Sequence, residues 1–205
     1  LMKKNSVLND SKRRCHLFRK RLLEISQNVS ALHIGGGFSS TELLDLILNI
    51  LQKPKDKFIL SKGHSAIMLY IVLEYKKILR KKDLDSYCQK NGLLGVHPEI
   101  HYPGVEASTG SLGHGLGLAA GMSLSKKFKN IYVLISDGEL MEGSTWESVL
   151  LISSLKLNNI VLLIDNNDLQ SATRATDTHP TLYPITTKFK SFGWDVSICN
   201  GHDVG

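Results

Sequence analysis

The sequence lacks the features that mark membrane-spanning and secreted proteins. Within its 205 residues, no apolar run approaches the roughly 18 residues that a membrane-spanning helix needs. The opening stretch LMKKNSVLND carries charges but no apolar core of the kind that a secretory signal has. The three scattered cysteines, Cys15, Cys88 and Cys199, indicate neither a disulfide framework nor a zinc site, and they suit a reducing compartment. We therefore expect a soluble, cytoplasmic protein that has no membrane partner.

Two nucleotide-binding signatures and one metal-binding signature are missing as well. Glycines at positions 110, 113 and 115 follow the spacing G-x-x-G-x-G, which differs from the dinucleotide fingerprint, and no Gly-Lys-Ser/Thr follows as in a Walker loop. The histidines that lie in turns have no partner four residues away, as a helical zinc site requires. A nucleotide-binding α/β protein therefore remains only a weak alternative.

Positive charge is concentrated at one end of the chain. The net charge is +6, and residues 1–30 alone hold eight Lys and Arg against two acids (8 − 2 = 6). Such an arm could bind nucleic acid. However, Phe18, Leu22 and Ile25 form an apolar stripe at i, i+4 and i+7, which is typical of an ordinary amphipathic helix. We expect a basic helical lead-in over residues 1–30, with a helix over about 11–27, and we disfavour nucleic acid as a partner.

The rest of the chain alternates between strand and helix patterns. Short apolar runs predict strands, namely FIL, IYVLIS, NIVLLID and WDVSIC. Helices are predicted between them, including one over about 144–155, and Ser39 with Glu42 fits a capping box at the start of another. Apolar strands separated by helices predict an α/β fold with three α/β/α layers and a mostly parallel sheet.

Polar residues follow two of these strands at the point where each ends. Asp137 comes after the first and Asn167 after the second, with 167 − 137 = 30 residues between them, which is about one βαβ unit. Their oxygens suit Mg²⁺ or Ca²⁺, completed by phosphate oxygens and water. The alternative is that Asp137 only caps the following helix.

A glycine-rich turn and several histidines indicate an anionic ligand. Gly110, Gly113 and Gly115 open a helix, where backbone N–H groups can face a phosphate; close helix packing is the alternative reading. The histidines in glycine-rich turns suggest donors and proton carriers. They are His33, His64, His97 and His114.

These motifs together resemble a known family. SDGELMEGSTWE followed by DNND resembles the thiamine diphosphate motif, and its neighbours narrow the resemblance to transketolase, especially to the separate N-terminal subunit of split bacterial transketolases. The neighbours, in the expected order, are SALHIGGGFSSTELL, LSKGHSAIMLY, GVHPE, STGSLGHGLGLAAGMSL and FGWDVSICNGHD. The resemblance implies a thiamine diphosphate-binding domain over residues 31–205, apparently truncated at its C-terminus.

The resemblance also implies roles by position. It assigns Mg²⁺, which Ca²⁺ can replace, to the side chains of Asp137 and Asn167 and the carbonyl of Leu169. The implied cofactor-binding residues are His64, Gly110, Ser111, Leu112, Gly113, Asp137, Gly138, Glu142, Asn167 and Leu169. The implied catalytic residues are His33, His64 and His97, which line the substrate channel, and Glu142 and Glu147, which form an acidic network at a subunit interface.

The implied activity is that of a transferase dependent on thiamine diphosphate and Mg²⁺. It transfers a two-carbon ketol unit from a ketose phosphate to an aldose acceptor, so sugar phosphates are the expected small-molecule partners. The glutamate that activates the cofactor lies in the family's pyrimidine-binding domain, which this chain lacks. The resemblance therefore implies an α2β2 assembly with a separate pyrimidine-binding subunit, and it implies inactivity of the chain alone.

Two departures from the family pattern keep alternatives open. Ser136 replaces the first glycine of Gly-Asp-Gly, and the stretch NDLQSATRATDTHP lacks the family's usual Ile-Asp-Gly. Since that loop is expected near the substrate entrance, the substrate stays open. The alternatives are another thiamine diphosphate transferase of a specialised pathway, such as a two-carbon donor enzyme or a deoxyxylulose-phosphate-synthase-like protein, and a non-catalytic assembly subunit.

Overall fold

The structure is a computed structural model that describes residues 2–29, 32–170 and 173–204. Its helices are Met2–Ser26 (α1), Ile34–Ser39 (α2), Thr41–Asp45 (α3), Ala66–Tyr75 (α4), Lys81–Asp85 (α5), Gly115–Leu124 (α6), Gly143–Ser154 (α7), Ala175–Thr178 (α8) and Ile185–Ser191 (α9). A π-helical segment at Leu46–Leu51 follows α3, and 3-10 turns cover Gly63–Ser65, Gly138–Met141 and Pro180–Leu182. The strands are Lys57–Leu60 (β1), Ile131–Ser136 (β2), Ile160–Asp165 (β3), Leu169–Gln170 (β4) and Thr173–Arg174 (β5).

A parallel sheet in the order β1-β2-β3 confirms the predicted α/β class. Leu60 of β1 pairs with Leu134 of β2, and Ser136 at the end of β2 pairs with Asp165 at the end of β3. Every residue of β2 is buried, as expected for the central strand of a parallel sheet. The short strands β4 and β5 form a separate antiparallel hairpin.

The chain divides into two compact units. The first comprises residues up to 53, residues 63–110 and the residues from 200 onward, and the second comprises residues 54–62 and 111–199. The first unit is helical, and the second contains all five strands. None of the helices in the described residues is long and apolar enough to cross a membrane.

Helix α1 packs into the first unit through the predicted apolar stripe. Phe18, Leu22 and Ile25 are at most 4% exposed, which confirms that the stripe is a core face. The helix begins at Met2, earlier than the predicted start near residue 11. In these extra turns Val7 is 45% exposed, so the buried apolar stripe that guided the prediction does not extend to them.

Several basic residues of α1 are used inside the first unit. Arg14 Nε lies 2.6 Å from Asp45 Oδ1, Arg19 Nη1 lies 2.7 Å from Glu42 Oε1, and Arg21 Nε lies 3.0 Å from Glu74 Oε2. These arginines serve as internal ion-pair partners, which agrees with the helical interpretation of the basic arm. The predicted preference against nucleic acid stays a prediction.

Helix α6 is closely packed, as the alternative reading of its glycines predicted. Its residues Leu116, Ala119 and Ala120 are buried, and in the second unit the helix contacts β1, β2, β3 and α7. A Cβ on Gly117 would lie 3.2 Å from Ser148 Oγ of α7. The two helices are therefore in close contact at this point.

Two local predictions are wrong. Ser39 is the last residue of α2, and Ser40, which precedes α3, makes no cap with its side chain but donates its hydroxyl to the carbonyl of Gly36 at 2.7 Å. A hydrogen bond to the preceding turn has replaced the expected capping box. The run WDVSIC is not a strand either, because residues 194–199 pair with none of the described strands, and Ile198 is 82% exposed.

The core role of α1 can be tested with two neighbouring leucines. Leu22 is fully buried, whereas Leu23 is 49% exposed. We expect Leu22→Ala to lower the free energy of unfolding by about 2–5 kcal/mol, because it leaves a cavity, and Leu23→Ala to change it by about 0.5 kcal/mol or less. Urea unfolding followed by circular dichroism measures both values, and similar losses would contradict the packing of α1.

Candidate functional site

Asp137 lies at the carboxyl edge of the sheet, directly after β2. Its backbone N–H donates to the carbonyl of Asp165 at 3.1 Å, which extends the hydrogen bonding between β2 and β3 by one residue beyond β2. Its carboxylate accepts from the N–H of Gly138 at 2.8 Å, from the N–H of Asp168 at 2.7 Å, and from the Tyr183 hydroxyl at 3.4 Å. The hydrogen bond from Gly138 caps the following 3-10 turn, as the alternative reading proposed. The hydrogen bond from Asp168 also connects Asp137 to the segment after β3.

The predicted partner Asn167 lies in that same segment. Because Ser136 is in register with Asp165, Asp137 and Asn167 follow adjacent strands by one and two residues at the same edge. The Asn167 side-chain oxygen accepts from the N–H of Leu169 at 2.9 Å. Asp168, which lies between Asn167 and Leu169, has a positive φ of 59°, so the chain turns sharply after β3.

These residues fit a divalent cation. Burial raises the pKa of the Asp137 carboxyl, which is fully buried, and a cation beside it would favour the charged form again. Carboxylate, amide and carbonyl oxygens are the hard ligands that Mg²⁺ takes. No group of three or more His, Cys, Asp or Glu that could hold a metal occurs within the described residues, so the donor set suits an ion shared with a phosphorylated ligand.

A second buried cluster lies at the same edge of the sheet, and the sequence interpretation missed it. Lys62, which follows β1, is fully buried and forms an ion pair with Asp165 at the end of β3. Ser61 donates its hydroxyl to Glu139, which is also fully buried. Burial raises the pKa of the Glu139 carboxyl. A lysine and a glutamate beside turns look solvated in a sequence, and only the pairing of strand ends shows them as internal.

The glycine-rich turn is held by that cluster. The N–H of Gly113 donates to Glu139 Oε1 at 2.8 Å, and the N–H of Gly115 donates to Ser61 Oγ at 3.1 Å. Gly113 has a φ of +87°, the left-handed region that glycine adopts without strain. The Gly113 N–H is thus directed at a protein carboxylate, and its role in cofactor binding stays a prediction.

The three histidines predicted to be catalytic, His33, His64 and His97, belong to the first unit, as does Gly110, whereas His114 belongs to the second. The rings of His33 and His64 meet edge to face with centroids 5.7 Å apart. A Cβ on Gly110, where φ is +140°, would lie 2.8 Å from Cγ of His97. The Tyr70 hydroxyl donates to the His97 carbonyl at 2.9 Å and so fixes that turn.

The remaining predicted residues belong to the second unit. Glu142 and Glu147 are exposed, the first just before α7 and the second within it. Gly138 opens the 3-10 turn after Asp137, and Ser111 and Leu112 precede Gly113 in the glycine-rich turn. The structure thus brings Asp137, Gly138 and the residues around Asn167 together, while the histidines predicted to be catalytic belong to the first unit.

One cavity beside α7 contains none of the predicted residues. It measures about 430 Å³ and is lined by Leu140, Met141, Trp146, His179, Thr181, Leu182, Lys188 and Phe192. Its lining is largely apolar and aromatic. The cavity is therefore separate from the polar groups that the sequence singled out.

Comparison with known proteins identifies the family. Residues 52–205 match the family described as "Transketolase, thiamine diphosphate binding domain". The chain belongs to the transketolase family. The resemblance predicted from the motifs is thereby confirmed, and it extends to relatives that are named as separate subunits.

Two such relatives cover nearly all of the transketolase-like chain. An apulose-4-phosphate transketolase subunit of Phocaeicola vulgatus is 38% identical over 91% of this chain and 70% of its own length. The "6-deoxy-6-sulfo-D-fructose transketolase subunit SqwG" of a Clostridium species is 30% identical over 95% of this chain and 76% of its own length.

Solved transketolase structures confirm the fold. The enzyme of Campylobacter jejuni matches with a TM-score of 0.85 and 26% identity, over 94% of this chain. That of Leishmania mexicana matches with a TM-score of 0.84 and 23% identity, over 95% of this chain. The chain spans about a third of each, 33% and 32%.

The buried pair at the sheet edge makes a testable prediction. Lys62→Met leaves Asp165 without its ammonium partner, and we expect the free energy of unfolding to fall by about 3–5 kcal/mol because a buried charge loses its compensation. Lys81 forms an exposed pair with Asp85, so Lys81→Met should cost about 1 kcal/mol at most. Urea unfolding of both variants gives the comparison, and equal losses would show that the Lys62 pair is not internal.

Proposed function

We propose that this chain is the diphosphate-binding subunit of a transketolase that depends on thiamine diphosphate and Mg²⁺. It would transfer a two-carbon ketol unit from a ketose phosphate to an aldose acceptor. The observation that carries the proposal is the register of Ser136 with Asp165, which sets Asp137 and the segment around Asn167 side by side in a member of this family. In this proposal, residues 1–30 are a helical lead-in and residues 31–205 form the cofactor-binding domain.

Cofactor binding would use the carboxyl edge of the sheet. Asp137, Asn167 and the carbonyl of Leu169 would hold Mg²⁺, and the main chain of the glycine-rich turn and Gly138 would face the diphosphate. When bound, thiamine diphosphate supplies the nucleophilic carbon that cleaves the ketose and carries the two-carbon unit. The protein's share is binding, orientation and proton transfer.

Proton transfer would fall to His33, His64 and His97, which belong to the first unit. His33 and His64 are close enough for their rings to touch edge to face, and His97 is exposed. Neutral imidazoles accept and donate protons near neutral pH. In the proposal these side chains exchange protons with the hydroxyl groups of the sugar, and His64 also contacts the diphosphate.

A separate pyrimidine-binding subunit would complete the enzyme, in an α2β2 assembly in the cytoplasm. Two relatives are named as individual transketolase subunits, which supports a second polypeptide. The segment that begins at Glu142 also exposes a mixed surface, because Glu147 and the apolar Leu150 and Leu151 of α7 are all exposed. Exposed leucines beside carboxylates suit an interface in which the acids become shielded from water.

Substrate choice would depend on the hairpin after Asn167. Asp168 holds this segment through the N–H and hydroxyl of Thr176, at 2.9 and 3.0 Å, and through Arg174 at 3.3 Å. Part of the divergent stretch, residues 171–172, lies outside the described residues. Since the relatives are named for unusual sugars, another two-carbon transferase of a specialised pathway is the second candidate.

Metal-dependent cofactor binding tests the first part of the proposal. We expect Asp137→Ala to weaken thiamine diphosphate binding on the order of tenfold or more in Mg²⁺, because the ion loses its only carboxylate ligand. Asp195, which is exposed in the same unit, supplies the control variant Asp195→Ala. Calorimetry on the chain assembled with a pyrimidine-binding subunit, with and without EDTA, measures both affinities. Binding that ignores EDTA and the Asp137 change would contradict the metal site.

Dependence on the partner tests the second part. We expect two-carbon transfer only when the chain is mixed with a pyrimidine-binding subunit, and we expect Glu147→Gln to lower the rate without unfolding the chain. The substrate panel should include common ketose phosphates, apulose 4-phosphate and 6-deoxy-6-sulfo-D-fructose, each with several aldose acceptors. Product detection by mass spectrometry decides the outcome. Complex formation without transfer on any pair would favour a non-catalytic assembly subunit.

A further inference from the structure

Glu139 is the acid of the motif SDGELMEGSTWE to which neither the motif nor the family resemblance gives a role. It lies in the 3-10 turn that follows Asp137, and its side chain is fully buried. A buried carboxylate is costly unless hydrogen bonds or opposite charges compensate it. Its contacts therefore indicate what the residue does.

One carboxylate oxygen of Glu139 joins three segments of the second unit. Oε1 accepts from the hydroxyl of Ser61, which follows β1, and from the N–H of Gly113 at 2.8 Å. The Ser61 hydroxyl oxygen in turn accepts from the N–H of Gly115 at 3.1 Å. Glu139 and Ser61 thus link the ends of β1 and β2 to the turn that opens α6.

The turn lies in close contact with its neighbours in the second unit. A Cβ on Gly115 would lie 2.3 Å from Ser61 Oγ, and one on Gly113 would lie 2.3 Å from Ser144 Oγ. Both glycines are therefore packed against neighbouring side chains. If Glu139 lost its carboxylate, the buried N–H of Gly113 would have no acceptor, and the turn would have to shift to find one.

The second carboxylate oxygen is not used in the same way. Glu139 Oε2 is buried and has no hydrogen-bond partner among the described residues. A buried oxygen without a partner costs free energy, so the contribution of Glu139 comes from the two hydrogen bonds that Oε1 accepts. What the glutamate supplies is one acceptor that holds a hydroxyl and a backbone N–H at the same point.

We propose that Glu139 is a positioning residue of the cofactor site, which holds the main chain of residues 111–115 in the conformation that receives the cofactor. This inference rests on the proposed function. In the described part of the chain, the N–H groups of Ser111 and Leu112 make no hydrogen bond within the protein. These two N–H groups are donors that the turn would offer to the cofactor. The N–H groups of Gly113 and Gly115 instead bind Glu139 and Ser61 and so hold the turn in place.

A matched pair of buried carboxylates separates positioning from stability. Asp56 also is buried, and its Oδ1 also accepts two hydrogen bonds, from the N–H and the side-chain amide of Asn130, both at 3.0 Å. Asp56 and Asn130 each precede a strand, β1 and β2, and so lie at the amino edge of the sheet, opposite the cofactor site. Asp56→Ala is therefore the control for Glu139→Ala.

The experiment measures thiamine diphosphate affinity in Mg²⁺ by calorimetry on the chain assembled with its pyrimidine-binding subunit, together with urea unfolding. We expect Glu139→Ala to weaken binding by about 10–100-fold, and Glu139→Gln, which keeps the acceptor oxygen, to restore most of it. Asp56→Ala should lower stability while leaving affinity unchanged. Hydrogen exchange in the free chain should accelerate at residues 113–115 only in Glu139→Ala.

The outcomes distinguish this inference from the proposed function. If the wild-type complex fails to bind thiamine diphosphate, the proposed function is wrong and the inference falls with it. If wild type binds and Glu139→Ala binds equally well, or if Asp56→Ala loses as much affinity, the inference alone is overturned. Should Glu139→Ala fail to fold, Ser61→Ala removes one of the same hydrogen bonds. It must then weaken thiamine diphosphate binding and accelerate exchange at residues 113–115 more than Asp56→Ala does.

Discussion

The parallel register of β2 with β3 is the constraint on which the rest of the site depends. Because Ser136 lies opposite Asp165, the residues that follow both strands emerge at one edge, and Asp137 reaches the carbonyl of Asp165 and the N–H of Asp168. A slip of one residue would reverse the facing of every side chain in a strand. Such a slip would also break the hydrogen bonds from the Asp137 N–H to Asp165 and from the Asp168 N–H to Asp137.

Buried polar groups then connect the strand ends to one another. The Lys62–Asp165 pair joins β1 to β3, and Ser61 with Glu139 joins β1 to the turn after β2. Pairs of this kind contribute little net stability compared with apolar packing, but breaking one is costly. Their effect is to restrict the edge to a single arrangement, which the proposed site for a metal and a diphosphate would require.

In the first unit, close approach of the main chain restricts the histidine side chains. Around its histidines, the main chain comes so near that side chains larger than hydrogen do not fit: a Cβ on Gly36 would lie 2.9 Å from His64 Cδ2, and one on Gly110 would lie 2.8 Å from His97 Cγ. Rings held in this way have few alternative rotamers. The close packing accounts for the glycines at these positions.

The sequence by itself determined the elements whose signal is local. The apolar runs of β2 and β3, the helix α7 and the apolar stripe of α1 were all predicted near their observed positions, and the motifs around Asp137 identified the family. Tertiary structure alone decided which polar residues are internal. Glu139 and Lys62 look like solvated residues in turns, and residues 194–199 look like a strand, because burial and pairing depend on segments distant in the chain. A strand needs a neighbouring strand, and a buried charge needs a partner, and neither requirement can be read from a few adjacent residues.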